Sequence, residues 1–448
     1  MFINTDILII GAGPAGIVTA TTARKYYPEK KILIVKNVER GVIPCGIPYM
    51  FYSLKNPEEN ELKITPLEKK NIQVIIDEVV NIDRIQKIAY TKNGDMINYE
   101  KLIMATGSLP QSLPIPGIEK EGVYLIYKDM EYLRKVVEKV KNSKNVLIIG
   151  GGFIGCEVAD EISKIEGVNV YLVEVLPNLL ANSFDPEFSK IVEEKLVSEG
   201  VKVLTNTKVV EIIGKEKVEE VLLSDGRKIK VDVVILGIGS VPNTELAQKI
   251  GLEIGKRKGI RVDEYMRTSD PNIFAVGDCA EKRDFFTRKP VQVMLASTAT
   301  AESRICGANI YKLKVIRENK GTIAIYSTFI NGVVLGSAGL TEKTANLEGF
   351  EIITGIAEAP DKHPKTLPSA NKIKVKLIFS KHSGIILGGQ VAGGMSCGEL
   401  INLIGVAIQK RMSFTELETL QMATHPYLTP APTMYPVVLA AQDAANKI

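Results

Sequence analysis

A chain of 448 residues exceeds what one hydrophobic core ordinarily serves, so roughly two to four domains are expected. Hydrophobic residues make up 45% and charged residues 24%, an ordinary globular composition. The net charge of +4 is small for this length and comes without a basic block, which gives no reason to expect nucleic acid or a membrane surface as partner.

In chain order, "TDILIIGAGPAGIVTA" opens with an apolar strand from about Thr5 and a glycine loop from Gly11, and no signal-peptide pattern is expected ahead of them. The loop residues Gly11, Gly13, Pro14, Ala15 and Gly16 then lead into a helix running towards Pro28. This is the strand–loop–helix unit that a pyrophosphate needs. Gly11 permits the tight turn, Gly13 lets phosphates approach the backbone, and Gly16 lets helix and strand pack closely, while the helix start offers N–H groups. The next strand, "KILIVKNVER", ends in Lys36 and Asn37, so the acid expected on an adenosine ribose is missing and Glu39 is a poor substitute. "GVIPCGIPYM" follows, with Cys45 between two prolines and Met50 five positions on. A helix starting at Cys45 would favour its thiolate.

The strand–loop–helix pattern recurs in "NVLIIGGGFIGCEVADEI", which supplies Gly150, Gly152, Phe153, Ile154 and Gly155. The following strand, "NVYLVEVLPN", ends in Glu174, an acid suited to a ribose 2′-hydroxyl, with no adjacent Arg or Lys for a 2′-phosphate, which favours NADH over NADPH. Two dinucleotide loops in one chain point to a flavin enzyme, one loop holding FAD and the other receiving the nicotinamide. Further on, "KIKVKLIFSKHSGIILGGQVAGG" reads as two alternating strands around a Ser-Gly turn, with a helix after it. No apolar run is long enough to span a membrane. The five cysteines, Cys45, Cys156, Cys279, Cys306 and Cys397, form no CxxC or Cys/His cluster, so no metal is expected and a reducing cytoplasm is the expected setting.

Three further stretches complete an ordered set: Ala105, Thr106 and Gly107 in "YEKLIMATGSLP", Gly239 in "DVVILGIGSVPNTEL", and Gly277 and Asp278 in "TSDPNIFAVGDCA". With the two glycine loops, they resemble the pyridine nucleotide–disulfide oxidoreductases over essentially the whole chain. The resemblance implies an α/β fold with two Rossmann-like dinucleotide-binding domains and an α+β C-terminal dimerisation domain. Its expected limits are 1–117 and 245–322 for the FAD-binding domain, 118–244 for the NAD(H)-binding domain and 323–448 for the dimerisation domain of a homodimer. It also implies that Asp278 accepts from the ribityl chain of FAD.

Relatives divide by their redox cysteines. A CxxxxC dithiol is excluded here, because Met50 stands at the second position. "PCGIPY" is similar to the single-cysteine branch, chiefly its coenzyme A disulfide and NAD(P)H sulfur reductases. That implies reduction of a disulfide, persulfide or polysulfide through Cys45. NADH oxidase activity, or electron delivery to a partner protein, is the alternative. The histidine that NADH peroxidases carry in the first loop is replaced by Pro14. Near the C-terminus, His363 in "DKHPKTLP" stands where coenzyme A disulfide reductases have a tyrosine. His425 in "MATHPYLTPAPT" resembles the acid–base histidine of the dithiol reductases, with Pro430 where their glutamate would stand and Tyr427 offering a hydroxyl. Arg24 and Arg40 are candidates for the phosphates of a CoA-type substrate.

Overall fold

In the computed structural model, which describes residues 1–314 and 318–447, the chain forms two compact units. Residues 315–317 of the expected 245–322 segment, and residue 448, lie outside the described residues.

The first unit gathers residues 1–111, 126–138 and 239–322. Its frame is a seven-stranded sheet with a parallel part of five strands: Gln73–Ile76, Ile32–Lys36, Phe2–Ile10, Met96–Met104 and Ile273–Ala275. The inner strands are buried on both faces, as in parallel sheets covered on each side; Ile7, Leu8 and Ile9 are fully buried. The first strand starts at Phe2, three residues earlier than the apolar run announces, because Phe2 to Thr5 pair with Met96 to Tyr99. Two helices, Pro14–Tyr26 and Ala296–Asn309, pack closely through small residues. A Cβ on Gly307 would lie 2.8 Å from the Thr19 carbonyl oxygen, and the Ser303 hydroxyl donates to the Ala15 carbonyl at 2.9 Å.

The second unit joins residues 112–125, 139–238 and 323–448. It holds a five-stranded parallel sheet ordered Lys202–Leu204, Asn169–Val173, Asn145–Ile149, Val233–Leu236 and Val123–Leu125. It also holds a five-stranded antiparallel sheet, whose central hairpin is Lys372–Ser380 with Ile386–Gly393. The helices Cys397–Gln409 and Pro436–Ala445 pack on that sheet. A Cβ on Gly355 would lie 1.7 Å from the Ala440 carbonyl, so glycine is what lets the last helix approach. Lys376, only 2% exposed, is surrounded by Asp185, Glu187 and Glu342, with Nζ 2.9 Å from Asp185. Burying one ammonium is tolerable here because three carboxylates face it.

Against the expected domain limits, residues 112–117 cluster with the second unit and 239–244 with the first, and the largest departure is 126–138, which also cluster with the first unit. The cause is local pairing: Met130 N–H donates to the Arg40 carbonyl at 3.1 Å, and Gly41 bridges to Asp129. Among the described residues, no helix is long and apolar enough to cross a membrane, and no group of His, Cys, Asp and Glu could hold a metal.

Candidate active site

The first glycine loop leaves the C-terminal end of Phe2–Ile10. Gly11 adopts φ +108°, and a Cβ there would lie 2.2 Å from the Ala105 carbonyl oxygen, so the loop closes against the Ala105–Gly107 segment. A Cβ on Gly16 would lie 1.9 Å from the Gly11 carbonyl. Gly13 is different, with nothing within 4 Å of its missing Cβ. It is the N-cap of Pro14–Tyr26 and makes no side-chain cap. An open glycine beneath uncapped helix N–H groups fits a dinucleotide pyrophosphate.

The distant FAD segments meet at this sheet edge. The Thr106 hydroxyl donates to the Asn243 carbonyl at 2.6 Å, and a Cβ on Gly277 would lie 2.8 Å from the Ala15 methyl. Asp278 accepts from the Ser108 hydroxyl at 2.7 Å and from Lys128 Nζ at 3.2 Å. Beneath this turn lies a buried ion pair. Glu302 accepts the Gly277 N–H at 3.0 Å, and Lys282 Nζ lies 3.1 Å from Glu302 while donating to the Gly277 and Ala280 carbonyls. Burial pushes the Glu302 carboxyl up, and Lys282 opposes that shift. Ser108, Lys128, Lys282 and Glu302 carry no local motif and were not among the sequence candidates.

The second loop repeats the geometry of the first. Gly150 has φ +106°, a Cβ on Gly155 would lie 1.8 Å from the Gly150 carbonyl, and Gly152 is open. Both oxygens of Glu174 are engaged, one by the Gly151 N–H at 2.6 Å and the other by the Leu176 N–H at 2.7 Å. A carboxylate has further lone pairs, so the position remains suited to sugar hydroxyls. Phe153 stacks on Tyr326 at 4.9 Å. Glu157, one helical turn on, accepts from the Thr328 hydroxyl at 2.7 Å, and burial pushes its carboxyl up to about 7. Ile154 is half-buried.

Cys45 is exposed, whereas Cys156, Cys279, Cys306 and Cys397 are buried and burial pushes their thiols up. Cys279 serves the core, its thiol donating to the Met104 and Val276 carbonyls at 3.3 Å. Cys45 does not start an α-helix. It lies in a single 3-10 turn, Pro44–Gly46, followed by another, Pro48–Met50, so helix dipole support for its thiolate is withdrawn. Proline at 44 and 48 restarts the chain each time and prevents a continuous helical ladder. Met50 is fully buried and anchors the turn.

The two arginines do not stand ready for a phosphate. Arg24 donates to the carbonyls of Pro28, Lys30, Lys70 and Asn71, which uses its guanidinium to close the end of its helix. Arg40 lies between Glu61 at 2.9 Å and Glu131 at 3.2 Å, which together outweigh its charge.

In the second unit, His363, His425 and Tyr427 come together. His363 N–H donates to the Pro426 carbonyl at 3.0 Å, and His363 Nδ1 lies 3.0 Å from the Thr429 carbonyl. His425 Nδ1 accepts from the Tyr427 N–H at 3.3 Å. The contacts fix one nitrogen of each ring: His363 Nδ1 faces a carbonyl and so carries a proton, and His425 Nδ1 is an acceptor, which leaves the ring N–H on Nε2.

Two sequence families match along the chain: pyridine nucleotide-disulphide oxidoreductase over residues 5–303, and that class's dimerisation domain over 325–435. The chain belongs to the pyridine nucleotide-disulphide oxidoreductases, a class that uses FAD and NAD(P)H. It is 34% identical to an NADH oxidase of Methanocaldococcus jannaschii, covering 98% of this chain and 99% of that one. It is 33% identical to an NAD(P)H coenzyme A polysulfide/persulfide reductase of Pyrococcus horikoshii, covering 86% and 87%. Among solved structures, an NAD-dependent persulfide reductase of A. fulgidus superposes with a TM-score of 0.92 at 31% identity, covering 99% of this chain and 83% of that one.

Proposed function

We propose that this chain is a cytoplasmic, homodimeric flavoenzyme that oxidises NADH and reduces a disulfide, persulfide or polysulfide, of the CoA type, through Cys45. The observation carrying this reading is that Cys45 is exposed on a short anchored turn while the other four thiols are buried. Bound FAD would supply the two-electron transfer from NADH to sulfur. The Cys45 thiolate attacks one sulfur of the substrate, forming a mixed disulfide and expelling the other sulfur as a thiolate. Two electrons and a proton then return Cys45 to thiolate and release the second thiol. NADH, one proton and a disulfide thus become NAD⁺ and two thiols.

Proton supply falls to the C-terminal cluster of the partner subunit in this reading. His425, with its proton on Nε2, is the donor to the departing thiolate, and His363, whose Nδ1 is held by the Thr429 carbonyl, leaves its Nε2 to face the site. Tyr427 and Leu428 are 55% and 67% exposed, and Met434, Met395 and Val406 are exposed apolar residues of the same unit, which supports a second copy as their cover. Glu174, followed by Val175, Leu176 and Pro177, supports NADH as the donor. With Arg24 and Arg40 engaged elsewhere, neither is assigned to the substrate.

A second reading, oxygen reduction, is favoured by the similarity to the M. jannaschii NADH oxidase. The experiment is anaerobic NADH oxidation with CoA disulfide, polysulfide, oxidised glutathione and peroxide in parallel, for wild type and Cys45→Ser. We expect turnover with a CoA-type sulfur acceptor, and a loss of about 10³-fold or more in Cys45→Ser. Inert sulfur acceptors beside rapid oxygen consumption that survives Cys45→Ser would establish the oxidase instead.

A further inference from the structure

Cys45 sits on a turn that is weakly held by its own backbone. The 3-10 turn is closed by the Gly46 N–H to Ile43 carbonyl bond at 3.0 Å and the Ile47 N–H to Pro44 carbonyl bond at 3.3 Å, a type of bond that is poorly aligned. An exposed thiol must nevertheless meet a disulfide in line to react. A further constraint comes from Asn60, which is only 3% exposed. Its backbone carbonyl accepts the Ile43 N–H at 2.9 Å, and its side-chain Nδ2 donates to the Ile43 carbonyl at 3.1 Å. Its Oδ1 fills the space above the residue after Cys45, since a Cβ on Gly46 would lie 1.9 Å from it. Asn60 therefore grips the chain on both sides of Cys45.

Asn60 is itself fixed. Val42 bridges to Glu61, and the Leu62 N–H donates to the Gly41 carbonyl at 3.0 Å. Arg40 forks between Glu61 and Glu131. The segment Pro57–Asn60 is capped by Asn56, whose side chain accepts the Glu58 N–H. We infer that Asn60 is the positioning residue of Cys45, setting the orientation of its thiol, and that residue 46 is glycine because Asn60 occupies the place of its side chain. This rests on the reading of Cys45 as the redox sulfur.

The test uses the FAD-loaded enzyme, reduced and desalted under argon. Iodoacetamide alkylation of Cys45 is followed by peptide mass from pH 5.5 to 9, beside kcat with CoA disulfide and the rate at which NADH bleaches the flavin. Asn60→Ala is expected to change the alkylation profile and lower kcat by about tenfold or more, with flavin bleaching kept. Asn60→Asp, which keeps the shape, is expected to raise the alkylation midpoint by about half a unit or more through the new negative charge. Gly46→Ala is expected to be as damaging as Asn60→Ala, and the double variant Gly46→Ala/Asn60→Ala to recover most of the Gly46→Ala loss. Wild-type alkylation profiles in both Asn60 variants, or a Gly46→Ala defect that is the same with and without Asn60, would overturn the inference. The alkylation profile decides this even if Cys45→Ser keeps full turnover, which would sink the redox reading instead.

Discussion

The two glycine loops have nearly the same backbone and reach it with different surroundings. Their first glycines stand at φ +108° and +106°, their last would collide with the same carbonyl at 1.9 and 1.8 Å, and their middle glycines are both open. What differs is the acid at the end of the next strand. The second loop has Glu174, whose carboxylate is already tied to Gly151. The first has Lys36, whose Nζ donates to the Glu39 carbonyl; the acid on its side, Asp278, comes from far away in sequence and is held by Ser108 and Lys128. Loop geometry is therefore common to both, and the distinction between the two lies outside the loops.

The strongest way to break that comparison is to close one cradle at a time. Gly16→Ala and Gly155→Ala each place a methyl group on a backbone carbonyl that cannot move aside, at a cost of about 1–3 kcal/mol or more. Gly16→Ala should purify without yellow flavin. Gly155→Ala should keep its flavin absorbance and lose bleaching by NADH. If both lose the flavin alike, the assignment of the loops to different dinucleotides fails. A smaller effect is expected from Glu174→Ala. Losing a charge-assisted hydrogen bond of about 1.5–3 kcal/mol should raise KM for NADH roughly ten- to a hundredfold, with kcat and flavin content little changed.

The Glu157 carboxyl, raised from its ordinary value of 4.5 to about 7, sharpens the account of the second unit. A raised carboxyl means that the folded protein holds a proton which the unfolded chain has released, so stability falls as pH rises between about 4.5 and 7. Thermal denaturation across that range should show Tm declining with pH, and Glu157→Gln should flatten the decline. The smallest effect is expected at the first loop. Lys36→Glu restores the absent acid and should tighten FAD by about 0.5–1.5 kcal/mol, measurable by flavin fluorescence on titration.

Features written in consecutive residues were legible in the sequence: both glycine loops, Glu174, the Gly277–Asp278 turn and Cys45 itself. Each depends on backbone conformations or strand ends that a short motif determines. Contacts made by folding distant segments together were not. Asn60 lies fifteen residues beyond Cys45 with no periodicity or motif to mark it, and Lys282 with Glu302 reads as two ordinary surface charges. The partners of Arg24 and Arg40 were hidden for the same reason, since a sequence shows a charge but not the carbonyls or carboxylates that engage it. The helix considered at Cys45 gave way to two short turns because Pro44 and Pro48 each remove a donor from the ladder.

The burial of four cysteines beside one exposed neighbour has a consequence for how the molecule rests between turnovers. A protein with a second sulfur close by can store its oxidising equivalents as a bond within itself. This chain, with Met50 buried at that position, offers Cys45 no such internal reservoir. On the proposed reading, the idle sulfur rests as the thiolate or carries a cap taken from outside the chain, a small thiol or an oxidant's oxygen, so the resting form should report the composition of its medium.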